Sequence, residues 1–156
     1  MIENFVEAGI SVRTSANTVL IVRNASIRNA ANGISFAPTG GAVNGSIDHT
    51  MIAKMSGDGI TGTGAAYFTV TNSVISNAAG VGVNVGSGTV LEVAGSSVSN
   101  NKTAFATSGG IIRISRNEIY DNNANFSISG GTIATAHNND IAVNGSTAPN
   151  GTIAQQ

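Results

Sequence analysis

The apolar positions of the chain fall into three rows that return at long, nearly regular intervals. In residues 22–36 (VRNASIRNAANGISF) apolar side chains stand at Val22, at Ile27 five positions on, and at Ile34 seven further on. The five-residue pair recurs as Ile47 with Ile52, Val70 with Ile75, Val93 with Val98, Ile114 with Ile119 and Ala136 with Ile141. The third row runs through Ile10, Ile34, Ile60, Val83, Phe105 and Phe126. From one member of a row to the next the period is 21 to 26 residues, and it shortens toward the C-terminus. Self-similarity at such a period is the mark of a solenoid, in which each repeat buries its apolar face only against its neighbours.

One period predicts three short strands. Residues 19–22 are β-branched, with Leu20 and Val22 inward. An odd step of five cannot keep one side-chain parity on a straight strand, so the chain bends near Asn24. A second strand carries Ile27 inward, and a turn over residues 29–33 leads to a third, with Ile34 and Phe36 inward and Ser35 outward. A Gly-rich loop at 38–41 starts the next period. Each strand pairs with its counterpart one period later, which predicts an all-β fold, a parallel β-helix of about six coils with three short strands per coil. The uneven loop lengths suit the right-handed form. The left-handed hexapeptide type needs strict sixes, and two leucines, Leu20 and Leu91, cannot supply a leucine-rich repeat. At about 4.8 Å per coil the rod is on the order of 30 Å long.

The corners repeat with the core. Asn24, His49, Asn72, Gly95, Arg116 and Asn138 share one register, and Asn29, Lys54, Asn77, Asn100 and Asp121 another. Asparagine tolerates the left-handed backbone of a sharp corner, and its amide is expected to bond to the one above and below as a stacked asparagine ladder. Residues 1–156 read as a single β-helix domain, expected to be the C-terminal part of a longer protein, because residues 1–18 resemble the end of a coil. An uncapped first coil predicts strand-edge contact with a second copy. Residues 143–156 (VNGSTAPNGTIAQQ) read as a polar tail or a partial last coil.

Composition narrows the field. Hydrophobic residues make up 41% and charged residues 10%, with 20 glycines, which favours strands and tight turns over helix and over disorder. A net charge of −1 gives no electrostatic case for nucleic acid, and no apolar run is long enough for a membrane span. With no cysteine there is no disulfide or thiolate metal site. Residues 1–8 carry no signal peptide.

The spelling N-x-x-I-x-N-N-x-x-G-I, in residues 24–34, 72–83 and 117–126, resembles the right-handed parallel β-helix repeats of the pectate-lyase-like superfamily. The resemblance covers essentially the whole chain. It implies a secreted or cell-surface location and, for the superfamily's enzymes, polysaccharide substrates. It also implies that the third strand is the face where such enzymes place their sites.

That face is poor in chemistry. Its outward row, Ser11, Ser35, Thr61, Asn84, Ala106 and Ser127, holds no carboxylate, and Arg13 in the next row is alone. Lyases of the superfamily use acidic residues for calcium with an Arg or Lys base, and its hydrolases use clustered carboxylates. Elsewhere, Glu92 and Arg113 share an outward register as an expected surface ion pair. Asp48 with His49 is a candidate binding pair, and exposed Tyr120 a candidate ligand contact. Glu118, Asp121 and Asp140 are candidate calcium ligands. The G-x-G-x-x-G at residues 57–62 has no helix after it and reads as a turn, so no cofactor is expected. The reading is a non-enzymatic solenoid module with a structural, surface or carbohydrate-contacting role. The competing reading is a fragment of a polysaccharide lyase or glycosidase whose catalytic coils lie elsewhere.

Overall fold

A computed structural model describes residues 1–142, 144, 145 and 147–154; Val143, Ser146, Gln155 and Gln156, part of the expected C-terminal tail, lie outside the described residues. The described chain is built from short strands in three parallel sheets, with no helix. The first strands of successive repeats, from Thr18–Arg23 to Gly151–Thr152, form a seven-stranded sheet. The second strands, from Ile2–Glu3 to Asp140–Ile141, form another of seven, and the third strands, from Ala8–Val12 to Ala124–Ile128, a sheet of six. Strands neighbouring in each sheet lie one repeat apart in sequence, so the molecule is a parallel β-solenoid.

The three apolar rows are three internal columns. Val22, Ile47, Val70, Val93 and Ile114 lie directly over one another in the first sheet. Ile27, Ile52, Ile75, Val98, Ile119 and Ile141 do so in the second. Ile10, Ile34, Ile60, Val83, Phe105 and Phe126 do so in the third. All but the end members Ile10 and Ile141 are buried. In-register stacking follows from the side-chain period of two, because a slip by one residue would turn a whole column out to solvent.

Two core phenylalanines have glycine in register in an adjoining coil. Phe36 stacks on Phe68 with ring centroids 4.0 Å apart. Gly62 lies in register with Phe36, and Gly45 in register with Phe68. A β-carbon added to Gly62 would stand 2.8 Å from Thr89 Cγ2 and one added to Gly45 2.7 Å from the Leu20 carbonyl oxygen, so both positions are closed to a side chain by the neighbouring coil. Phe105 and Phe126 stack in consecutive coils.

Both corner registers take the left-handed backbone. Asn24, His49, Asn72, Arg116 and His137 have φ between 46° and 59°. Asn4, Asn29, Lys54, Asn77, Asn100 and Asp121 have φ between 54° and 64°. The sixth member of the first set is thus His137 and not the expected Asn138. Likewise Thr135, not Ala136, lies beneath Ile114. The cause is one extra residue at this corner. Elsewhere the second strand starts two residues after the left-handed position, as in Arg116 to Glu118, whereas Asp140 starts three after His137. The inward Thr135 hydroxyl is satisfied, accepting from the His137 N–H and from Asn139 Nδ2, both at 3.0 Å.

Of the expected amide bonding at the corner positions, Asn138 Oδ1 accepts the Arg116 N–H at 3.0 Å, and most of the bonding lies one residue further on. The corner side chains point outward, and the next residue turns in beneath the coil above. The Thr50 N–H donates to Ser73 Oγ, the Ser73 N–H to Ser96 Oγ, the Ser96 N–H to Asn117 Oδ1 and the Asn117 N–H to Asn139 Oδ1, at 2.9 to 3.1 Å. At the other corner the Ala78 N–H donates to Asn101 Oδ1 and the Asn101 N–H to Asn122 Oδ1. These side chains supply the acceptors that a turn cannot take from the sheet.

The last turn is short. After Ile141 the chain rejoins the first sheet at Gly151–Thr152, and among the described residues it adds no further strand to the third sheet. Asn144 Nδ2 donates to the Asn122 carbonyl, and Asn150 Nδ2 to that of Gly131. Asn150 Oδ1 accepts the Ile133 N–H.

Candidate functional site

The corner between the first and second sheets carries the most structured polar group on the surface. Asp48 ends the strand Val43–Asp48, and His49 takes the left-handed turn beside it. His49 Nδ1 lies 2.8 Å from Asp48 Oδ2. Asp48 Oδ1 accepts from Thr71 Oγ1 at 2.7 Å and from Asn72 Nδ2 at 3.1 Å, both one coil on. The hydrogen bond with His49, then those from Thr71 and Asn72, hold the carboxyl well below the usual carboxylate range. An acid so stabilised as its anion is a poor proton acceptor. The geometry pins a corner across two coils. Arg23 is in register with Asp48 one coil earlier.

Of the acidic candidates, Glu118 and Asp140 are neighbours in register in the second sheet. Asp121 takes a left-handed corner. It lines a polar groove of about 470 Å³ with Asn77, Asn100, Lys102 and Asn123. Glu118 lines a different groove of about 350 Å³ with Asn72, Ser97 and Arg116. Glu118 and Asp140 thus adjoin in register, while Asp121 lines a different groove from Glu118. Among the described residues no group of three or more His, Asp or Glu side chains is placed to hold a metal ion.

Glu92 and Arg113 face one another in adjacent coils but form no ion pair, correcting the expected contact; among the described residues His49–Asp48 is the one pair within 4.0 Å. Both side chains instead line a groove of about 280 Å³ with Tyr67, Phe68, Thr69 and Val90. Exposed alternatives for long side chains in water are worth as much as such a pair. Tyr120 is outward, and its hydroxyl accepts from Ser97 Oγ at 3.3 Å.

The third face has the composition read from the repeat, with Ser11, Ser35, Thr61, Asn84, Ala106 and Ser127 in one outward column. One carboxylate does reach it, from outside the strand. Asp58 Oδ1 accepts the Val81 N–H at 2.7 Å, and Oδ2 accepts from Asn84 Nδ2 at 2.9 Å. Its own N–H donates to Asn32 Oδ1 at 2.9 Å. Asp58 sits in the turn before the strand Ile60–Gly62, so a search of strand positions passes over it. The clue in the sequence is its place two residues before the third-row Ile60, where Asn32 stands before Ile34. With both oxygens bonded, Asp58 organises Asn84 and the strand entrance.

A further concavity lies at the C-terminal end, beside Asp140. It measures about 630 Å³ and is lined by Thr135, His137, Asn139, Ile141 and residues 148–152. Among the described residues no helix is long and apolar enough to cross a membrane.

A family model described as a right handed beta helix region matches residues 8–153. No curated protein and no solved structure matches the chain.

Proposed function

The chain belongs to the right-handed β-helix family, and from that membership we propose that it serves as a rigid, non-catalytic module of an exported or cell-surface protein. In this reading the stacked third face, a column of small hydroxyl and amide side chains, makes shallow contact with polysaccharide. The observation that carries it is how the carboxylates are used. Asp48 and Asp58 are each committed to donors from the next coil, and the adjoining Glu118 and Asp140 stand on the second sheet, off the third face. Acid/base cleavage of a glycosidic bond needs two carboxyl groups flanking one substrate position. A flat face without an aromatic platform fits weak contact repeated along a rod better than one tight site.

The test has two arms. The protein is incubated with neutral and with acidic polysaccharides, and new reducing ends and unsaturated products are measured. None is expected; turnover of either kind overturns the non-catalytic reading in favour of a lyase or glycosidase. Co-sedimentation with insoluble polysaccharide is then compared for the wild type and for Ser35→Ala with Thr61→Ala. Reduced retention of the double variant supports the third face as the contact, and equal retention refutes it.

A further inference from the structure

The chain contains four Asn-Gly steps, at Asn32–Gly33, Asn44–Gly45, Asn144–Gly145 and Asn150–Gly151. Their local chemistry is the same and their surroundings differ. At such a step the glycine backbone nitrogen attacks the asparagine side-chain carbonyl carbon. A bond forms between that nitrogen and Cγ, the Cγ–Nδ2 bond breaks, and ammonia leaves. The product is a succinimide, which water opens to aspartate or isoaspartate. The glycine N–H loses its proton in the process, so base speeds the reaction. The attack also needs the glycine nitrogen to swing toward Cγ, which an extended, paired strand prevents.

Three of the four steps are held, two of them within strands and Asn150 by its amide. The Gly33 N–H donates to the Asp58 carbonyl at 3.1 Å, and Asn32 Oδ1 accepts the Asp58 N–H. Asn44–Gly45 lies inside Val43–Asp48, paired to strands on both sides. Asn150 is bonded through both ends of its amide, to the Ile133 N–H and the Gly131 carbonyl, and Gly151 pairs with Ala134. Asn144 stands outside the strands, and Gly145 after it is exposed with φ of 87°. Among the described residues the Asn144 amide makes one hydrogen bond, from Nδ2 to the Asn122 carbonyl at 2.9 Å. We infer that Asn144 is a spontaneous modification site of the folded protein, converting to aspartate and isoaspartate with water as co-reactant.

The conversion acts on the closing turn. Nδ2 becomes a carboxylate oxygen facing the Asn122 carbonyl, so one donor is lost and two acceptors oppose each other. In isoaspartate the main chain runs through Cγ, one carbon longer, and the Asn144 carbonyl, which accepts the Asn125 N–H at 3.1 Å, becomes a free carboxylate. Both changes loosen the cover over the last full coil.

The experiment is a time course of the intact protein at mildly alkaline pH, read by peptide mapping and mass spectrometry, with a urea-unfolded control. In the folded protein Asn144 should convert first, with the three held sites slower by roughly tenfold or more because reaction there requires local opening. In urea the four should converge. Comparable rates at all four sites in the folded state, or conversion led by Asn44, would overturn the inference. For the loosening, Asn144→Asp should melt below Asn144→Ala, which in turn melts below wild type. An Asn144→Asp protein as stable as wild type refutes that part.

Discussion

Replacing Asn117 by Ala should destabilise the fold by several times more than replacing Asn100, although both asparagines stand at turns of successive coils. Asn117 is 1% exposed. Its Oδ1 accepts the Ser96 N–H at 3.0 Å, and its Nδ2 donates to the Val93 carbonyl at 2.8 Å and to Asn139 Oδ1 at 3.0 Å. Truncation removes three bonds and strands the Ser96 N–H in the interior. A typical hydrogen bond contributes about 1 kcal/mol net, and an unpartnered buried group costs about 1–3 kcal/mol, so we expect a loss of about 2–4 kcal/mol. Asn100 is exposed with φ of 56°. Asn100→Ala loses only the tolerance for the left-handed backbone, about 1 kcal/mol. The assay is urea unfolding followed by far-ultraviolet circular dichroism, comparing midpoints at constant slope.

Asn117→Asp sharpens the test through pH. It keeps the acceptor for Ser96 and turns the donor into an oxygen facing the Val93 carbonyl and Asn139 Oδ1. Burial and those acceptors raise the folded-state pKa of the new carboxyl above its unfolded value of about 3.9. The folded state then binds more protons, so stability falls as pH rises through the unfolded value. The variant should therefore lie closest to wild type in acid and furthest from it at neutral pH. An Asn117→Ala loss no larger than that of Asn100→Ala, or an Asn117→Asp deficit independent of pH, would refute the assignment of the buried amide as a structural bridge.

Further outcomes follow from packing and from Asp48. A β-carbon at Gly33 would lie 2.3 Å from Ile52 Cγ2 and 2.4 Å from the Gly59 carbonyl oxygen. Gly33→Ala should thus cost about 1–3 kcal/mol or prevent folding, measured by thermal melting; an unchanged melting temperature means that adjacent coils yield more freely than their contacts imply. Ile52→Ala should cost about 2–5 kcal/mol because the column above and below holds the cavity open, and a loss under 1 kcal/mol by urea unfolding would show local collapse. The Asp48 carboxyl has a folded pKa below its unfolded one, so its contribution is present above the unfolded value of about 3.9 and is lost as pH falls toward the folded one. Melting of wild type and Asp48→Asn should accordingly differ most near neutrality and converge in acid, and a constant gap would remove the ionised carboxylate as the cause.

The sequence alone determined the solenoid. Once the first, second and third apolar rows recur together, stacking each row on itself is the arrangement that buries all three, and the five-residue step forces a bend between first and second strands. The left-handed corners were legible for a similar reason, because Asn24, Asn72, Asn77 and Asn100 repeat where the chain must turn. What only the tertiary structure decided lies in contacts between coils. Registers there are set by backbone hydrogen bonds and not by apolarity, so one extra residue after Thr135 moved His137 into the corner that Asn138 was expected to fill. Most of the side-chain bonds that brace the turns fall one residue past the asparagines that mark them, because the residue following a left-handed corner turns inward. The placing of Asp121 and Glu118 in different grooves, the capture of Asp48 by Thr71 and Asn72, and the reach of Asp58 to Asn84 depend on which way a side chain leaves a corner. A one-dimensional repeat fixes which residues are neighbours along a column, and the three-dimensional turn fixes which polar atoms meet.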